Sequence, residues 1–392
     1  MFKIKIYNQI SSKGLDQFPR DRYDLSSDID RPDGLLLRSH QLHQQPIDET
    51  IKAVARAGAG TNNIPVASYT QKGIVVFNTP GANANAVKEL VLAGLLLSTR
   101  HIVDGMNYAQ SLSHITDEAL MNKQLEAEKK RFVGTELYGK SIGIVGLGAI
   151  GSMVADIALS LGMKVVGYDP ALSIEAAWRL SSQVQRMENL QSLLASADYI
   201  SLHMPAIEAT KNLINADMLK IVKPGTVLLN FARGSIVDAQ AVVDSLNANH
   251  LGQYVCDFPE PCLSSNEKVI AMPHIGASTV EAEENCAVMA ANQLMDYLEN
   301  GNIRNSVNFP AIFMDRAVTD SCRLIFANHN IAGVLGDVLS VFNQHKMNVI
   351  DMVNKSREDI AYNIIDLEKV PSDKAIKEIK SIESVVSLRL LN

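Results

Sequence analysis

The sequence predicts an α/β protein built on a doubly wound parallel sheet, followed by a small module of strands and helices. The first observation is a regular unit between residues 105 and 279, in which six strand-like runs alternate with helical patterns. Buried strands joined by helical crossovers form doubly wound parallel sheets. Residues 1–100 show a similar alternation, which predicts further β-α-β units. The third observation is the order β-α-β-β-α-β over residues 318–392, which is typical of the ferredoxin-like split unit.

The N-terminal region contains short apolar runs separated by helical ones, namely "FKIKIYN", "GLLLRS", "IKAVARAG" and "GIVVFNTPG". From Ala84 to about Asp104 the chain is rich in Leu and Ala, which predicts one long helix. The charged run "LEAEKKRF" then predicts a solvated surface segment.

The central unit has the clearest strand pattern, with the runs "SIGIVG", "KVVGYD", "YISLHM", "TVLLNFA", "LGQYVCDF" and "KVIAMPH". A second long amphipathic segment, "TVEAEENCAVMAANQLMDYLENG", ends at Gly301 and predicts another helix. The polar stretch "NIRNSVNFP" that follows is typical of a linker.

Composition places the chain among ordinary globular proteins and excludes several classes. A length of 392 residues predicts two or three domains, since a single core rarely exceeds about 250–300 residues. The net charge of −7 argues against a nucleic-acid or membrane partner. Four cysteines with no zinc-like spacing predict neither a disulfide framework nor a metal site, and they indicate a reducing compartment. Without a signal-peptide core or a membrane span, the expected location is cytoplasmic.

Residues 134–151, "GTELYGKSIGIVGLGAIG", match two phosphate-binding patterns at once. The run from Gly134 to Ser141 fits the P-loop pattern, which requires a preceding strand and a following helix. Here a charged segment precedes the match and a strand follows it, so we interpret the match as accidental. The second match, Gly146, Gly148 and Gly151, lies between the strand "SIGIVG" and a helical pattern, as a dinucleotide-binding turn requires.

Asp169 ends the next strand-like run, eighteen residues after Gly151. A carboxylate at this position accepts hydrogen bonds from a ribose 2′-hydroxyl and repels a 2′-phosphate. The combination of strand, glycine turn, helix and acid therefore predicts binding of NAD rather than NADP.

Three ionisable residues follow later strands of the same unit. Arg233 follows "TVLLNFA", Glu260 follows "LGQYVCDF", and His274 ends "KVIAMPH". Ligands of open parallel sheets bind beyond the carboxyl ends of the strands. An imidazole can take a hydroxyl proton, a carboxylate can stabilise its charged form, and a guanidinium matches a substrate carboxylate. The trio predicts oxidation of a hydroxyacid.

The chain resembles the D-isomer-specific 2-hydroxyacid dehydrogenases over essentially its whole length. The motifs that carry the resemblance are "RAGAGTNNI", "VFNTPGANANAVKEL", "GKSIGIVGLGAIG", "LHMPAIEATKNLIN", "NFARGSIVD" and "MPHIGAST". The resemblance implies a Rossmann-type NAD-binding domain (98–282) inserted into a discontinuous, flavodoxin-like substrate domain (1–97 and 283–312). Residues 318–392 would form an ACT regulatory domain.

The resemblance also implies roles for individual residues. Arg233 would bind the substrate carboxylate, His274 would be the acid/base, Glu260 its partner, and Asp257 a contact of the nicotinamide carboxamide. Positions that match further cofactor contacts of the family are Ala149, Ile150, His203, Pro205, Thr210 and Ala232. Positions that match contacts of a phosphorylated substrate are Arg38, Ser39 and Asn83.

Some positions depart from the family pattern. The segment "CDFPEPC" has two residues fewer than usual between the aspartate and the glutamate, which bears on the reach of Glu260. In the tail, Asn330 and Asn348 match asparagines that hold L-serine in serine-inhibited relatives. Asn328 stands where those relatives often have histidine. We expect L-serine to be the effector, with an assembly module that binds no effector as the alternative.

The function implied is NAD-dependent oxidation of D-3-phosphoglycerate in the phosphorylated pathway of serine biosynthesis, by a homodimer or homotetramer. One alternative is a glyoxylate/hydroxypyruvate reductase or another D-2-hydroxyacid dehydrogenase. Another is an NAD-sensing interaction protein similar to corepressors with this fold. The presence of Arg233, Glu260 and His274 together argues for an enzyme.

Overall fold

A computed structural model describes residues 1–316 and 321–391. The chain divides into two compact units, one comprising Met1–Asn83 with Val280–Asn392 and the other Ala84–Thr279. The second unit is thus inserted between two segments of the first. The three-domain boundaries expected from the sequence stay predictions, and residues 318–320 and 392 of the expected ACT domain lie outside the described residues. No helix in the described part of the chain is long and apolar enough to cross a membrane.

The N-terminal segment forms a five-stranded parallel sheet in the order β2-β1-β3-β4-β5. This order is that of flavodoxin-like folds. Runs of small and branched apolar residues form its central strands, and β3 to β5 are almost entirely buried. The elements are β1 (Phe2–Ile6), α1 (Ser12–Leu15), β2 (Tyr23–Ser26), β3 (Gly34–Leu37), β4 (Ala53–Arg56), α2 (Val66–Gln71) and β5 (Val75–Phe77).

The inserted unit begins with helices that differ from the single helix predicted for residues 84–104. The helix α3 ends at Arg100, and His101 adopts a left-handed backbone conformation (φ 47°) that breaks the helical path before α4. The run "LEAEKKRF" lies in α5 and a following 3₁₀ turn with no buried residue, as predicted for a surface segment. The helices are α3 (Ala84–Arg100), α4 (Ile102–Ser111) and α5 (Glu118–Glu128).

The inserted unit contains a seven-stranded parallel sheet in the order β12-β11-β10-β9-β6-β7-β8. Counted within the unit this order is 3-2-1-4-5-6-7, the Rossmann arrangement with one strand added. The strands are β6 (Ser141–Val145), β7 (Lys164–Tyr168), β8 (Gln185–Arg186), β9 (Tyr199–Leu202), β10 (Thr226–Asn230), β11 (Leu251–Cys256) and β12 (Val269–Ala271). The helices are α6 (Ala149–Ser160), α7 (Ile174–Ala177), α8 (Leu190–Ser196), α9 (Ala216–Ile221) and α10 (Ala239–Asn247).

All six predicted strands of this sheet are present, and Ser141 begins β6, as expected once the P-loop interpretation is rejected. The unpredicted strand, β8, is an exposed two-residue edge strand without the apolar pattern of the others. The order of the sheet reverses direction between β6 and β9. Because ligands bind at such switch points, the glycine turn after β6 lies where a dinucleotide is expected.

The chain returns to the first unit through α11 (Val280–Asn300), which is followed by Gly301 with φ 76°. The polar stretch after it was predicted to be a linker, but it packs against the first sheet. The buried Asn308 side chain accepts a hydrogen bond from the Val76 amide and donates to the Ile74 carbonyl and to Thr70. Polar side chains satisfied by strand backbone groups therefore allow this stretch to be buried.

The C-terminal segment has the predicted order β-α-β-β-α-β and forms a four-stranded antiparallel sheet, β14-β15-β13-β16. One sheet face packs against the two helices around Phe326, Val338 and Phe342, and the other joins the core of the N-terminal segment. The elements are β13 (Cys322–His329), α12 (Val334–Gln344), β14 (Val349–Arg357), β15 (Ile360–Leu367), α13 (Asp373–Lys380) and β16 (Val385–Leu391). This architecture is consistent with an ACT-like domain.

Candidate active site

The turn between β6 and α6 is shaped by three glycines with different surroundings. Gly146 has φ 91°, and a Cβ built on it would lie 2.5 Å from the His203 carbonyl oxygen. A Cβ on Gly151 would lie 1.9 Å from the Gly146 carbonyl oxygen, so close packing requires glycine there. By contrast, a Cβ on Gly148 would meet nothing within 4 Å. The turn is therefore tightly packed on its protein side and open at the position where a pyrophosphate would approach.

The first turn of α6 supplies the other half of this phosphate site. Gly148 precedes the helix, and Ala149 and Ile150 are its first two residues. Backbone N–H groups at a helix N-terminus have no partner within the helix and attract phosphate. The exposed Gly148 and Ala149 leave these groups accessible to a ligand.

Asp169 follows β7 and lies beside the glycine turn. One carboxylate oxygen accepts a hydrogen bond from the Leu147 amide at 2.8 Å, and the other accepts one from Ala171 at 2.9 Å. These bonds hold the carboxylate next to the turn. Each oxygen retains a lone pair with which it can accept a hydrogen bond from a ribose hydroxyl. The glycine turn, the helix N-terminus and this acid together fit NAD.

The next predicted cofactor residues follow β9. The ring of His203 forms a 2.8 Å hydrogen bond between Nε2 and Ser201 Oγ, while its buried Nδ1 has no hydrogen-bond partner in the described structure. Although part of the residue is accessible, burial of the ring lowers the pKa of His203 to about 3, so the imidazole is neutral. Thr210 Oγ1 donates to the Pro205 carbonyl at 2.7 Å and closes the loop after it.

Arg233 lies in the loop after β10, which a buried asparagine shapes. The side chain of Asn230, fully buried at the end of the strand, donates to the Arg233 carbonyl at 2.9 Å and accepts from the Ala232 amide at 3.2 Å. The Arg233 guanidinium is exposed and donates one bond, to the Ala232 carbonyl. Within the described residues its other donors have no protein partner, which leaves them for an anionic ligand.

Glu260 lies beside the Arg233 loop despite the shortened segment before it. Its carboxylate oxygen Oε1 is 3.6 Å from the position that a Cβ on Gly234 would occupy. The structure therefore brings the carboxylate of Glu260 next to the residue that follows Arg233. The shortening places Phe258 and Pro259 between Asp257 and Glu260.

His274 follows β12 in a left-handed backbone conformation with φ 57°. Its imidazole is exposed and packs at a tilt against the ring of Phe258, with ring centroids 4.9 Å apart. Among the described residues, no hydrogen bond joins His274 to Glu260. The ring contact with Phe258 was not predicted from the sequence.

Asp257 at the end of β11 is almost fully buried and binds the loop that carries His274. Its two carboxylate oxygens accept hydrogen bonds from the backbone amides of Ile275, at 2.8 Å, and Gly276, at 2.7 Å. The nicotinamide contact expected of Asp257 stays a prediction. Among residues 1–316 and 321–391, no group of three or more His, Cys, Asp or Glu side chains is arranged to hold a metal ion.

The residues predicted to bind the substrate phosphate belong to the other unit. The Arg38 guanidinium forms an ion pair with Glu283 at 2.7 Å, and both side chains are partly exposed. The amide of Ser39 donates to Asn8 Oδ1 at 3.1 Å, which holds the loop after β3. The buried Oδ1 of Asn83 has no hydrogen-bond partner in the described structure. Glu283, a competitor for Arg38, could not be identified from sequence spacing.

The predicted effector residues do not come together within one chain. Asn330 follows β13 and lies beside the start of β15, at Ile360. Asn348 precedes β14 and lies beside the other end of β15, at Leu367. At ~3.3 Å per residue, these two ends of the sheet are about 23 Å apart. Asn328 is buried and accepts a hydrogen bond from Asn363 Nδ2 at 2.8 Å. A site formed by Asn330 and Asn348 would need two copies of the chain.

The glycine turn and the ionisable residues at the following strand ends define a class of NAD-dependent dehydrogenases. The model of the D-isomer specific 2-hydroxyacid dehydrogenase NAD-binding domain matches residues 106–276. The chain is 33% identical over 373 residues to the D-3-phosphoglycerate dehydrogenase of Escherichia coli strain K12, covering 91% of this chain and 86% of the relative. It belongs to the D-isomer-specific 2-hydroxyacid dehydrogenases, a family of NAD-dependent oxidoreductases.

Two further comparisons agree with this assignment. A D-3-phosphoglycerate dehydrogenase of Synechocystis is 37% identical over 292 residues, which cover 72% of this chain but half the length of that relative. The crystal structure of NAD⁺-bound 3-phosphoglycerate dehydrogenase from Entamoeba histolytica superposes with a TM-score of 0.61 at 26% identity. That match covers 79% of this chain and 99% of the other.

Proposed function

We propose that this chain catalyses the NAD-dependent oxidation of D-3-phosphoglycerate to 3-phosphohydroxypyruvate, the first step of the phosphorylated pathway to L-serine. The observation that carries the proposal is the position of Arg233, Glu260 and His274, which follow the neighbouring strands β10, β11 and β12. The glycine turn of the same sheet fits NAD. The Escherichia coli relative, which aligns with 91% of this chain, is named for this activity.

The proposed reaction assigns one task to each of the three residues. Arg233 binds the substrate carboxylate with its free guanidinium donors. His274 accepts the proton of the C2 hydroxyl as the C2–H bond breaks, and Glu260 stabilises the resulting imidazolium. NAD, when bound, accepts the C2 hydride at the nicotinamide ring. The products are the ketone, NADH and a proton, so charge and electrons balance.

Recognition of the substrate phosphate is proposed for Arg38, with Ser39 and Asn83 as neighbouring contacts. The Arg38 guanidinium is partly exposed and has Glu283 as its ion-pair partner. A phosphate carries more charge than one carboxylate and presents more acceptor oxygens, so it competes with Glu283 for the guanidinium. We therefore expect Glu283 to weaken the binding of the phosphorylated substrate.

We propose L-serine as the effector and two copies of the chain as the minimum assembly that binds it. Asn330 and Asn348 lie at opposite ends of one C-terminal sheet. Pairing of two such sheets would bring Asn330 of one copy near Asn348 of the other, which fits a homodimer or homotetramer. Asn328 contributes through its network with Asn363. A cytoplasmic location accords with the four free cysteines.

The test is formation of NADH from D-3-phosphoglycerate by the purified chain, with and without L-serine. We expect turnover with D-3-phosphoglycerate, much weaker turnover with D-glycerate, and inhibition by L-serine. A preference for D-glycerate over D-3-phosphoglycerate would contradict the proposal and indicate a hydroxypyruvate reductase. Absence of turnover with any hydroxyacid, despite tight binding of NAD, would indicate an NAD-sensing interaction protein instead.

A further inference from the structure

A cavity of about 920 Å³ lies within the unit formed by residues 1–83 and 280–392. One wall is the edge strand β16 of the C-terminal sheet, from Val385 to Arg389. Another part of the lining consists of loops of the N-terminal segment, at residues 49–52 and 72–73. None of the residues assigned above to NAD, substrate or effector lines it. The cavity therefore shares no lining residue with the candidate active site.

The lining of this cavity is strongly basic. It includes two acidic side chains, Asp33 and Glu49, and a larger set of basic ones. The basic side chains are Lys3, Arg31, Lys52, Lys72, Lys380 and Arg389. This local excess of four positive charges contrasts with the net charge of −7 of the whole chain. Like charges gathered in one concave surface repel one another and raise the local concentration of anions.

Among the described residues, most of these cations have no anionic partner. Lys52 forms an ion pair with Asp33. Within residues 1–316 and 321–391, the other basic side chains of the lining form no ion pair. Lys72 and Lys380, which both line the cavity, are exposed. Their ammonium groups are therefore available to a bound anion at little desolvation cost.

Arg389 gives the cavity a more rigid and partly unsatisfied donor. Its guanidinium lies over the ring of Tyr297, 4.8 Å from the centroid, and donates from Nη2 to the Leu298 carbonyl at 2.7 Å. The buried Nη1 has no hydrogen-bond partner in the described structure. A buried donor without an acceptor costs about 1–3 kcal/mol, so an anion that reached it would gain a strong bond.

The walls of the cavity are held close together at one point. A Cβ on Gly73, whose φ is 71°, would lie 2.7 Å from the side chain of Ser387 on β16. This contact positions Lys72 against the strand that carries Arg389. A ligand held between them would contact both the N-terminal segment and the C-terminal sheet.

We propose that this cavity binds a small multivalent anion of the phosphate class, such as a phosphorylated metabolite. Four of the six cations are lysines, which act as point charges for phosphate, and the planar fork of Arg389 also matches phosphate oxygens. The site does not depend on the dehydrogenase reaction, because none of its residues takes part in that reaction. Binding there would couple the C-terminal sheet to the N-terminal segment.

The test uses isothermal titration calorimetry to measure the binding of pyrophosphate to the chain of residues 1–392 saturated with NAD. The double variant Lys72→Gln/Lys380→Gln removes two exposed cations of the cavity. The matched control Lys220→Gln removes an exposed lysine of the other unit, which pairs with Asp217. We expect the dissociation constant to rise about 10-fold or more in the double variant, equivalent to ~1.4 kcal/mol, and to stay unchanged in the control.

Equal affinity of the wild-type chain and the double variant would overturn the proposal, as would an equal loss in the control. Absence of pyrophosphate binding to the wild-type chain at millimolar concentration would overturn it too. Citrate, a multivalent carboxylate, is titrated for comparison. Tighter binding of citrate than of pyrophosphate would contradict the assignment of the cavity to phosphate groups. Thermal unfolding of each variant without ligand verifies that the exposed lysine substitutions leave the fold intact.

Discussion

The carboxylate of Asp257 accepts a hydrogen bond from the backbone amide of Gly276 at 2.7 Å. Its second oxygen accepts one from the amide of Ile275, so one buried side chain holds two successive peptide groups directly after His274. His274 itself has a left-handed backbone, a conformation that costs energy for a residue with a Cβ. The end of β11 thus stabilises the loop that presents the imidazole.

Substitution Asp257→Ala should lower both stability and turnover. Two buried amides lose their acceptor, at about 1–3 kcal/mol each, and the His274 loop is released. We expect kcat to fall by about 10- to 100-fold, since small displacements of reacting groups have effects of that size. Asp257→Asn, which keeps one acceptor oxygen, should be intermediate. If Asp257→Ala raised only the KM for NAD and left kcat and Tm unchanged, the loop role would be wrong.

Substitution His274→Ala should remove the proposed proton acceptor without unfolding the chain, because the imidazole is exposed. We expect kcat for D-3-phosphoglycerate to fall by roughly 10²–10⁴-fold, the usual contribution of general acid–base catalysis. NAD affinity, measured by calorimetry, should change little. Turnover close to that of the wild-type chain would exclude His274 as the base.

Two glycine substitutions in the same turn should affect different properties, one the stability of the fold and the other the affinity for NAD. Gly151→Ala places a Cβ 1.9 Å from the Gly146 carbonyl oxygen, so we expect a loss of stability of about 1–3 kcal/mol from forced repacking. Gly148→Ala meets no protein atom within 4 Å and should fold normally. Its methyl group would occupy space that the pyrophosphate needs, which should weaken NAD binding by about 10-fold or more.

Thermal unfolding and NAD titration of the two glycine variants check this pair of expectations. Gly151→Ala should show the lower Tm, and Gly148→Ala should show wild-type Tm with a raised Kd for NAD. Unchanged NAD affinity in a folded Gly148→Ala variant would argue against the pyrophosphate position.

The regular elements could be predicted from the sequence because their signals are local. The buried run "SIGIV" and the glycines after it predicted β6, the turn and α6, and the order of the C-terminal module was also confirmed. Two features had no local signal: β8 is two exposed residues, and the helix break at His101 involves neither glycine nor proline. Their conformations depend on surrounding structure that sequence patterns do not report.

The sequence predicted a set of candidate site residues, which stays a prediction, but it did not predict the contacts that the structure shows around them. Strand ends indicated Arg233, Glu260 and His274 because the carboxyl ends of parallel strands lie on one edge of a sheet. The packing of Phe258 against His274 depends on two loops meeting, and nothing in "CDFPEPC" predicts it. Asn230 carried a weak signal, as a polar residue at the end of a buried strand.

Substitution Glu283→Gln should improve binding of the phosphorylated substrate. It removes the ion-pair partner of Arg38, and exposed pairs of this kind contribute about 0–1 kcal/mol. We therefore expect the KM for D-3-phosphoglycerate to fall by up to about 5-fold with kcat unchanged. Glu284→Gln, which removes the partner of Lys13 one position along the same helix, is the control and should leave KM unchanged. If the KM for D-3-phosphoglycerate stayed the same in both variants, Arg38 would not be a residue that recognises the substrate phosphate.

Substitution His203→Gln should reduce the sensitivity of the fold to acid. Burial lowers the pKa of His203 from 6.5 to about 3. Below pH 6.5 the unfolded chain binds a proton at this residue, whereas the folded chain does not until about pH 3. The stabilising contribution of the neutral ring is therefore complete above pH 6.5 and declines as the pH falls towards 3.

Measuring Tm as a function of pH, from about pH 7 down to about pH 4, tests this effect in the wild-type chain and the variant. The variant should lose stability less steeply, because unfolding no longer takes up a proton at residue 203. His114→Gln is the control, because His114 is exposed and its surroundings change little on unfolding. The slope of Tm against pH for this variant should match that of the wild-type chain. Parallel curves for His203→Gln and the wild-type chain would mean that the imidazole is protonated in the folded state, which its buried Nδ1 argues against.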